Sequence, residues 1–309
     1  MKNLYVKIIL FSFIFIIIAI LLSNPTDQHR DAKKWNYIYN LDNNIDVLYM
    51  GSSHIFTSLS PNIIDPITNL ESFNLGSNGQ MIIQTYYNLY EVLKFRSPNL
   101  IVIDINAFLR KKDAPTLGYI YQNLSGMKNS KNKINSFLNT IDEKKYFEAL
   151  ILFIKENYNW KRMKKREDVT SQTKGFVSRK QKITIDDYNE QLSKRKTNNN
   201  FDLSELNENL FYLDEIISLC MKQNIDLLFF KSPTLLKIDL NTSLNEYFIS
   251  KSESKNIHYL NLGLFFEELN LNYLDYCDKA HLSITGSEKI SKFFSNYLIS
   301  YKNNYLLKD

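Results

Sequence analysis

The sequence has few of the residues that build fibrous or covalently cross-linked proteins. Among 309 residues there are 8 glycines and 6 prolines, too few for a collagen-like or low-complexity chain. Two cysteines, Cys220 and Cys277, cannot form the framework of several disulfides on which small secreted domains depend. An excess of one charge is also missing, because 38 basic and 33 acidic residues leave a net charge of +5. We therefore expect no nucleic-acid partner.

Apolar residues, by contrast, are abundant at 44% of the chain, and many of them fall into five short runs. These runs are residues 45–50, 72–75, 100–105, 225–230 and 257–262. Near-continuous runs of this kind are typical of parallel strands covered on both faces. Helical stretches lie between them, at 81–95, 203–223 and 285–301. The alternation predicts an α/β fold, with a doubly wound, parallel five-stranded sheet in a flavodoxin-like three-layer sandwich.

The longest hydrophobic run lies near the amino terminus. Between residues 8 and 22 every side chain except Ser12 is apolar. Adding residues 4–6 gives a stretch long enough to cross a bilayer, because Lys7 can extend its ammonium group back to the lipid headgroups. The sequence therefore predicts an N-terminal transmembrane helix within residues 1–23.

Residues 21–25 lack the small-residue pattern of a signal-peptide cleavage site, which favours an uncleaved anchor over a removed signal peptide. Flanking lysines and arginines do not decide the orientation of this anchor. A lone amino-terminal anchor usually exports the chain behind it, so we expect a single-pass protein of the cell membrane with residues 27–309 outside the cytoplasm. A cytoplasmic domain on a reversed anchor is the alternative.

The remaining chain divides by composition into a stalk and one domain. Residues 24–44 are polar and predict a membrane-proximal stalk with a short helix around residues 32–39, and residues 45–302 hold the predicted sheet. Residues 111–200 interrupt the strand–helix alternation with helical patterns alone, and we expect this insertion to cap the carboxyl edge of the sheet. Its second half, residues 151–200, has 13 basic against 6 acidic residues, most densely at 160–166. Such a charge run is either a solvated helix face or a surface attracted to anionic lipids or polymers.

Polar residues that could carry chemistry come after the first strand and before the last helix. Gly51, Ser52 and Ser53 come directly after the first strand, where a doubly wound sheet presents its ligand-contacting groups. Near the C-terminus, Asp278 stands three residues before His281, so its carboxylate can accept from one ring nitrogen and leave the other free as a base. Each pattern alone is also explained by a helix cap or a surface ion pair.

Two further groups come after the second and third strands. Gly76 and Gly79 lie in a polar turn whose backbone N–H groups could face an oxyanion, cradle a phosphate or only make a turn. Asn106 ends the third strand, where its amide could donate to the same oxyanion or merely terminate the strand. From the residues alone, either glycine could supply the donor.

Taken in chain order, these groups resemble the SGNH (GDSL-type) hydrolase superfamily, which carries a serine, a glycine and an asparagine after successive strands and a late Asp-x-x-His. The resemblance implies that Ser53 is the nucleophile, His281 the base and Asp278 the residue that orients it. It also implies an oxyanion hole formed by the Ser53 N–H, Gly79 and Asn106. The sequence departs from the family in having Ser52 for an aspartate, and Asp-Ile-Asn in its third block.

The membrane anchor, the Gly-Ser-Ser-His start and the long insertion are similar to SGNH proteins that modify cell-surface polymers. This resemblance implies a serine esterase or O-acyltransferase that acts on ester-linked acyl groups of a cell-surface glycan or polymer. An acylated cell-surface polysaccharide and a membrane-bound acyl-transfer protein are the expected partners. A non-catalytic surface-binding scaffold with the same fold is the alternative. We expect no cofactor, and no metal because no Cys/His cluster has ligand spacing.

Overall fold

The computed structural model describes residues 5–7, 11–12, 30–41, 44–112, 117–149, 170–195, 202–236, 240–255 and 257–301. The predicted membrane anchor lies outside the described residues except for 5–7 and 11–12, which are helical. The densest part of the basic segment, residues 160–166, also lies outside them. Within the described ranges, no helix combines the length and the apolar character that a membrane span requires.

The described residues form five strands and twelve α-helices, numbered in chain order. The strands are β1 Val47–Met50, β2 Ser72–Asn74, β3 Leu100–Asp104, β4 Asp226–Lys231 and β5 His258–Asn261. The α-helices are α1 Arg30–Asn40, α2 Ser53–Phe56, α3 Pro61–Thr68, α4 Ile82–Val92, α5 Ile105–Phe108, α6 Leu117–Leu124, α7 Lys131–Thr140, α8 Thr170–Thr173, α9 Ile185–Arg195, α10 Asn207–Lys222, α11 Thr242–Lys255 and α12 Ile284–Tyr301. Short 3₁₀ helices cover Glu143–Lys145, Leu203–Leu206, Leu262–Phe265 and Tyr273–Asp275.

The five strands form one parallel sheet in the order β2-β1-β3-β4-β5. The predicted parallel five-stranded sheet is therefore confirmed, and its order is the flavodoxin-like one. The order reverses between β1 and β3, where Met50 at the end of β1 pairs with Ile103 of β3. In sheets of this kind ligands bind outside the carboxyl ends of the strands at that reversal. The turns after β1 and β3 are thus the first place to look for a site.

Side chains alternate between the two faces of the sheet, and both faces are buried. On β1, Leu48 and Met50 belong to one hydrophobic cluster, while Val47 and Tyr49 belong to the other. The first cluster includes buried residues of α1, α4, α10 and α11. Buried residues of α2, α3 and α12 complete the second cluster. Apolar strands without polar alternation are explained by these two helix layers, which exclude water from both faces.

The predicted helices at 81–95, 203–223 and 285–301 correspond to α4, to a 3₁₀ turn with α10 after it, and to α12. The predicted stalk differs from the structure over residues 30–40. The short helix predicted around residues 32–39 is present as α1, but it belongs to the domain, because its Trp35 and Ile38 are fully buried in the core. Spacing of three residues puts both side chains on one face of the helix, where the apolar surface of the domain covers them.

The described part of the insertion at 111–200 contains helices and loops and no strand. Its residues 174–183 cross the carboxyl edge of the sheet. At one end the carbonyl of Lys174 accepts from the Asn74 N–H at 2.9 Å, and at the other the Ile183 N–H donates to the Tyr276 carbonyl at 2.9 Å. The segment thus joins the end of β2 to the loop that precedes α12.

Candidate active site

The turn after β1 is held tightly against the end of β3. Gly51 adopts a φ of 136°, and a Cβ atom there would lie 2.5 Å from the Cβ of Asp104. Only glycine fits this conformation and this close approach. Ser52 then caps α2, because its Oγ accepts from the His54 N–H at 3.3 Å. Ser53 is therefore the first residue of a helix, with its hydroxyl at the carboxyl edge of the sheet.

Ser53 lies next to His281, 228 residues later in the chain. The Ser53 Oγ is 2.7 Å from His281 Nε2. The other ring nitrogen, Nδ1, is 2.9 Å from both carboxylate oxygens of Asp278. A carboxylate can only accept, so Nδ1 carries the proton and Nε2 is left to accept from the serine hydroxyl. The structure thus brings together Ser53, His281 and Asp278 in the geometry of an activated serine.

The loop that carries His281 is closed by its own backbone. The Cys277 N–H donates to the His281 carbonyl at 3.0 Å, and Tyr276 pairs with Leu282 in an antiparallel bridge. Asp278 Oδ1 also accepts from the N–H groups of Ala280 at 2.8 Å and His281 at 3.0 Å. Burial opposes ionisation of this carboxyl, but these hydrogen bonds and the His281 ring outweigh burial and hold the pKa of Asp278 below its ordinary value.

Gly79 lies in a loop that is attached to the nucleophile turn, because the Ser77 N–H donates to the Gly51 carbonyl at 2.9 Å. Gly79 has a φ of 60°. Within the described part of the chain, the backbone N–H groups of Ser53 and Gly79 have no acceptor. The N–H of Gly76, the competing glycine, already donates to Asn74 Oδ1 at 3.1 Å. Gly79 rather than Gly76 therefore keeps a free donor at this edge.

Asn106 is joined to the nucleophile turn indirectly, through Asp104. Its Nδ2 donates to Asp104 Oδ1 at 3.0 Å, and its own Oδ1 accepts from Lys231 Nζ at 3.2 Å. The other carboxylate oxygen of Asp104 accepts the Ser52 N–H at 3.1 Å and the Ser52 hydroxyl. The Asn106 amide thus donates one of its two hydrogens to Asp104, and its second hydrogen is available to another acceptor.

Asp104 and Lys231 are the residues of this network that sequence reasoning missed. Both side chains are completely buried. Burial raises the pKa of Asp104, while hydrogen bonds from Ser52 and Asn106 act in the opposite direction. Each residue closes an apolar run at the carboxyl end of its strand, β3 or β4. The carboxyl ends of parallel strands meet at one edge of the sheet. A charged residue at the end of a buried strand is therefore the sequence feature that could have identified Asp104 and Lys231.

A second histidine, His54, lies beside Ser53 and His281. The rings of His54 and His281 are 5.0 Å apart between centroids. The Nδ1 atom of His54 is buried, and none of the described residues offers it a hydrogen-bond partner. Burial, and then the charges of His281, Lys231 and Arg110, lowers the pKa of His54 well below its ordinary value. His54 is therefore a neutral imidazole beside the reacting hydroxyl.

Helix α1 contacts the loop that carries Gly79 through the side chain of Lys34. Lys34 of this helix is 1% exposed, and its Nζ donates to the Gly76 carbonyl at 2.6 Å. The same ammonium lies 5.1 Å from the centre of the Phe56 ring at the end of α2. Burial, and then the charge of Arg30, lowers the pKa of Lys34 well below its ordinary value. Lys34 thus contacts both the nucleophile helix and the glycine loop.

One cluster of side chains in the described residues has the composition of a metal site, and it includes part of the proposed catalytic group. Cys277, Asp278 and His281 bring one ligand atom each within 4.8 Å of one another. We expected no such cluster from the sequence. The thiol of Cys277 lies 3.7 Å from Asp278 Oδ2, and burial raises its pKa to about 11. The thiol is protonated and is not an alternative nucleophile.

No family model matches the sequence, and no curated protein matches it. Solved structures do show similarity. A candidate lipolytic protein of the G-D-S-L family from Desulfitobacterium hafniense DCB-2 is 12% identical, with a TM-score of 0.42 over 82% of this chain and 99% of the other. A candidate acylhydrolase from Bacteroides fragilis NCTC 9343 is 12% identical, with a TM-score of 0.40 over 88% of this chain and 95% of the other. The site is accordingly interpreted from its own geometry.

Proposed function

We propose that the protein is a serine esterase or O-acyltransferase of the SGNH type, acting on ester-linked acyl groups. The observation that supports this function is the series of contacts from Asp278 through His281 to Ser53, at 2.9 and 2.7 Å. A hydroxyl within hydrogen-bond reach of an imidazole, which a carboxylate orients in turn, is the arrangement that activates a serine.

In the proposed reaction, His281 Nε2 takes the Ser53 proton while Ser53 Oγ attacks the ester carbonyl carbon. The carbonyl oxygen becomes an oxyanion, which the N–H groups of Ser53 and Gly79 and the free amide hydrogen of Asn106 stabilise. The imidazolium then protonates the departing alcohol, leaving an acyl group on Ser53. Water or a sugar hydroxyl gives its proton to His281 and attacks this acyl-enzyme. The imidazolium then returns this proton to Ser53 Oγ as the bond between Ser53 and the acyl group breaks, which regenerates the serine and releases the acid or the new ester.

The proposed substrate is an acylated glycan or polymer of the cell surface. Support for this part comes from the sequence: the hydrophobic run within residues 1–23 suits a membrane anchor, and the basic residues of 151–200 suit an anionic surface. We propose a single-pass membrane location with the domain outside the cytoplasm, beside a membrane-bound acyl-transfer partner. Protease treatment of intact cells tests the location, and complete protection of the domain would contradict it.

The reaction is tested with the full chain, purified in detergent, on p-nitrophenyl acetate. Ser53→Ala and His281→Ala are each expected to lower turnover by at least about 10³-fold, because the nucleophile and base act as a unit. Ser97→Ala, which changes an exposed serine, is the matched control and is expected to match the wild type. Turnover that survives in a folded Ser53→Ala variant would contradict the assignment.

Labelling with a fluorophosphonate probe distinguishes an esterase, a transferase and a non-catalytic scaffold. It is expected to label the wild type and Ser97→Ala and to leave Ser53→Ala unlabelled. Labelling without hydrolysis would favour a transferase that needs its own acyl donor. A folded wild type that is neither labelled nor active would contradict both enzymatic functions and favour the surface-binding scaffold.

A further inference from the structure

The loop that presents His281 holds three different metal-ligand atoms close together. The thiol of Cys277, the carboxylate of Asp278 and the imidazole of His281 lie within 4.8 Å of one another. The Asp278 side chain is 46% exposed while Cys277 is buried, so an ion from solvent meets the carboxylate of the group first. The Cys277–His281 backbone hydrogen bond and the Tyr276–Leu282 bridge fix the loop. The loop therefore holds the three side chains near one another before any ion arrives.

The chemistry of the donors selects the kind of ion. One sulfur, one oxygen and one nitrogen are the ligand types that Zn²⁺ takes from proteins, at roughly 2.0–2.3 Å from the metal. Mg²⁺ and Ca²⁺ prefer oxygen ligands alone and are disfavoured by this set. Ligands around one zinc ion lie closer together than 4.8 Å, so binding requires a small contraction of the loop. The Cys277 sulfur is 3.7 Å from Asp278 Oδ2, and His281 Nδ1 is 2.9 Å from the same oxygen, so the contraction must bring the Cys277 sulfur and the His281 ring closer together.

We propose that Cys277, Asp278 and His281 bind a Zn²⁺ ion, and that the bound ion switches off the reaction at Ser53. Zinc would bond to the Cys277 sulfur, an Asp278 oxygen and His281 Nδ1, with water completing the tetrahedron. The thiol proton passes to solvent, and the Nδ1 proton of the neutral imidazole moves to Nε2. An Nε2 that already carries a proton cannot accept one from Ser53, so the nucleophile is not activated. Only this inhibitory consequence rests on the proposed function.

One nearby charge opposes the ion. The guanidinium of Arg179 lies 3.8 Å from Asp278 Oδ2, and its side chain is about one-third exposed. A positive charge at this distance repels a divalent cation and competes for the carboxylate. Arg179 therefore weakens zinc binding, and its removal is expected to strengthen it. Removal of Arg179 should raise the affinity for zinc, whereas removal of a ligand should lower it, so the two changes test the proposal independently.

Binding is measured on the full chain in the Ser53→Ala background, where no turnover interferes. Zn²⁺ alone is titrated by calorimetry, and Co²⁺ is used as a coloured substitute that reports a thiolate ligand by a near-ultraviolet charge-transfer band. We expect one ion per chain. Cys277→Ser should weaken Zn²⁺ binding by at least about tenfold and remove the cobalt–thiolate band, while Arg179→Gln should tighten binding several-fold. Cys220→Ala, which changes the other free cysteine, is the matched control and should retain the band.

Inhibition is measured next, in the chain with Ser53 intact, as the Zn²⁺-dependent loss of p-nitrophenyl acetate turnover relative to the metal-free rate of the same variant. Cys277→Ser should need at least about ten times more Zn²⁺ for the same loss, and a chelator should restore the wild-type rate. The proposal is overturned if Cys277→Ser binds Zn²⁺ as the parent does, or if Cys220→Ala loses the cobalt band. Thiolate-dependent binding in a chain that neither hydrolyses the ester nor reacts with the fluorophosphonate probe would overturn the proposed function and leave the metal site standing.

Discussion

The nucleophile side and the base side of the proposed site are held in different ways. Around Ser53, the supporting side chains Asp104 and Lys231 are completely buried, and their contacts join residues 52 and 125 positions apart in the chain. On the other side, Asp278 and His281 are only three residues apart, and the Asp278 side chain is half-exposed. The first side therefore needs the assembled sheet, whereas the second needs one closed loop.

This difference predicts that the two sides fail differently when they are altered. A change on the base side should remove activity and leave the fold intact, because few buried contacts depend on Asp278. A change beneath the nucleophile should lower stability together with activity, because a polar network inside the protein loses its partners.

The largest expected effect is that of Asp278→Asn on the base side. An amide in place of the carboxylate can present its NH₂ group to His281 and favour the wrong ring tautomer. We expect turnover of p-nitrophenyl acetate to fall by roughly 10³- to 10⁴-fold, with the midpoint of urea unfolding almost unchanged. Asp186→Asn, at an exposed position of α9, is the control. A fall of less than about tenfold would show that Asp278 does not orient the base.

On the nucleophile side, Asp104→Ala is expected to destabilise the protein by about 3–5 kcal/mol, because buried donors of Ser52 and Asn106 lose their acceptor and a buried charge loses its neighbour. Urea unfolding measures the change, and Asp186→Ala should stay within about 0.5 kcal/mol of the wild type. If Asp104→Ala does not fold, the less severe Asp104→Asn replaces it. A loss below about 1 kcal/mol in either variant would remove the contrast between the two sides.

Lys34→Met is expected to have a smaller effect, which extends the comparison to α1. Methionine fills the space but cannot donate to the Gly76 carbonyl. The loop that carries Gly79 therefore loses one of the hydrogen bonds that hold it in place. We expect kcat to fall by about tenfold while KM changes less than about twofold, because misplacement of an oxyanion donor acts on the transition state. Lys131→Met, at an exposed position of α7, controls for loss of charge. An equal change of KM and kcat, or none, would contradict this positioning role.

The smallest expected effect is a pH dependence on the base side. Because hydrogen bonds hold the pKa of Asp278 below its ordinary value in the folded protein, its ionised form adds stability above the unfolded-state pKa of about 3.9 and loses it as pH falls towards the lower folded value. The difference in unfolding free energy between the wild type and Asp278→Asn should therefore be constant above about pH 5 and narrow as the pH falls below about 4. The side chain is half-exposed, so the change should be less than about 1 kcal/mol. A difference that does not vary with pH would contradict the lowered pKa.

Several elements could be predicted from the sequence because their signal is local. The strands are short apolar runs ended by glycine, asparagine or a charged residue, and the helices between them repeat apolar residues at helical spacing. Residues 30–40 were the exception, since their polar composition predicted a stalk while Trp35 and Ile38 are buried. Two apolar side chains on one face of a helix are a weak signal unless the surface that covers them is known.

The parallel sheet and the polar residues after its strands could be predicted from the sequence, because strand periodicity and strand-end position are properties of neighbouring residues. The packing of the folded chain is needed to bring Ser53 within 2.7 Å of His281, to join Lys231 to Asn106, and to bring Lys34 of α1 to the glycine loop. Each of these contacts joins residues 42 or more positions apart. Distances of this kind are set by how the strands and helix layers pack, and spacing along the chain carries no measure of them.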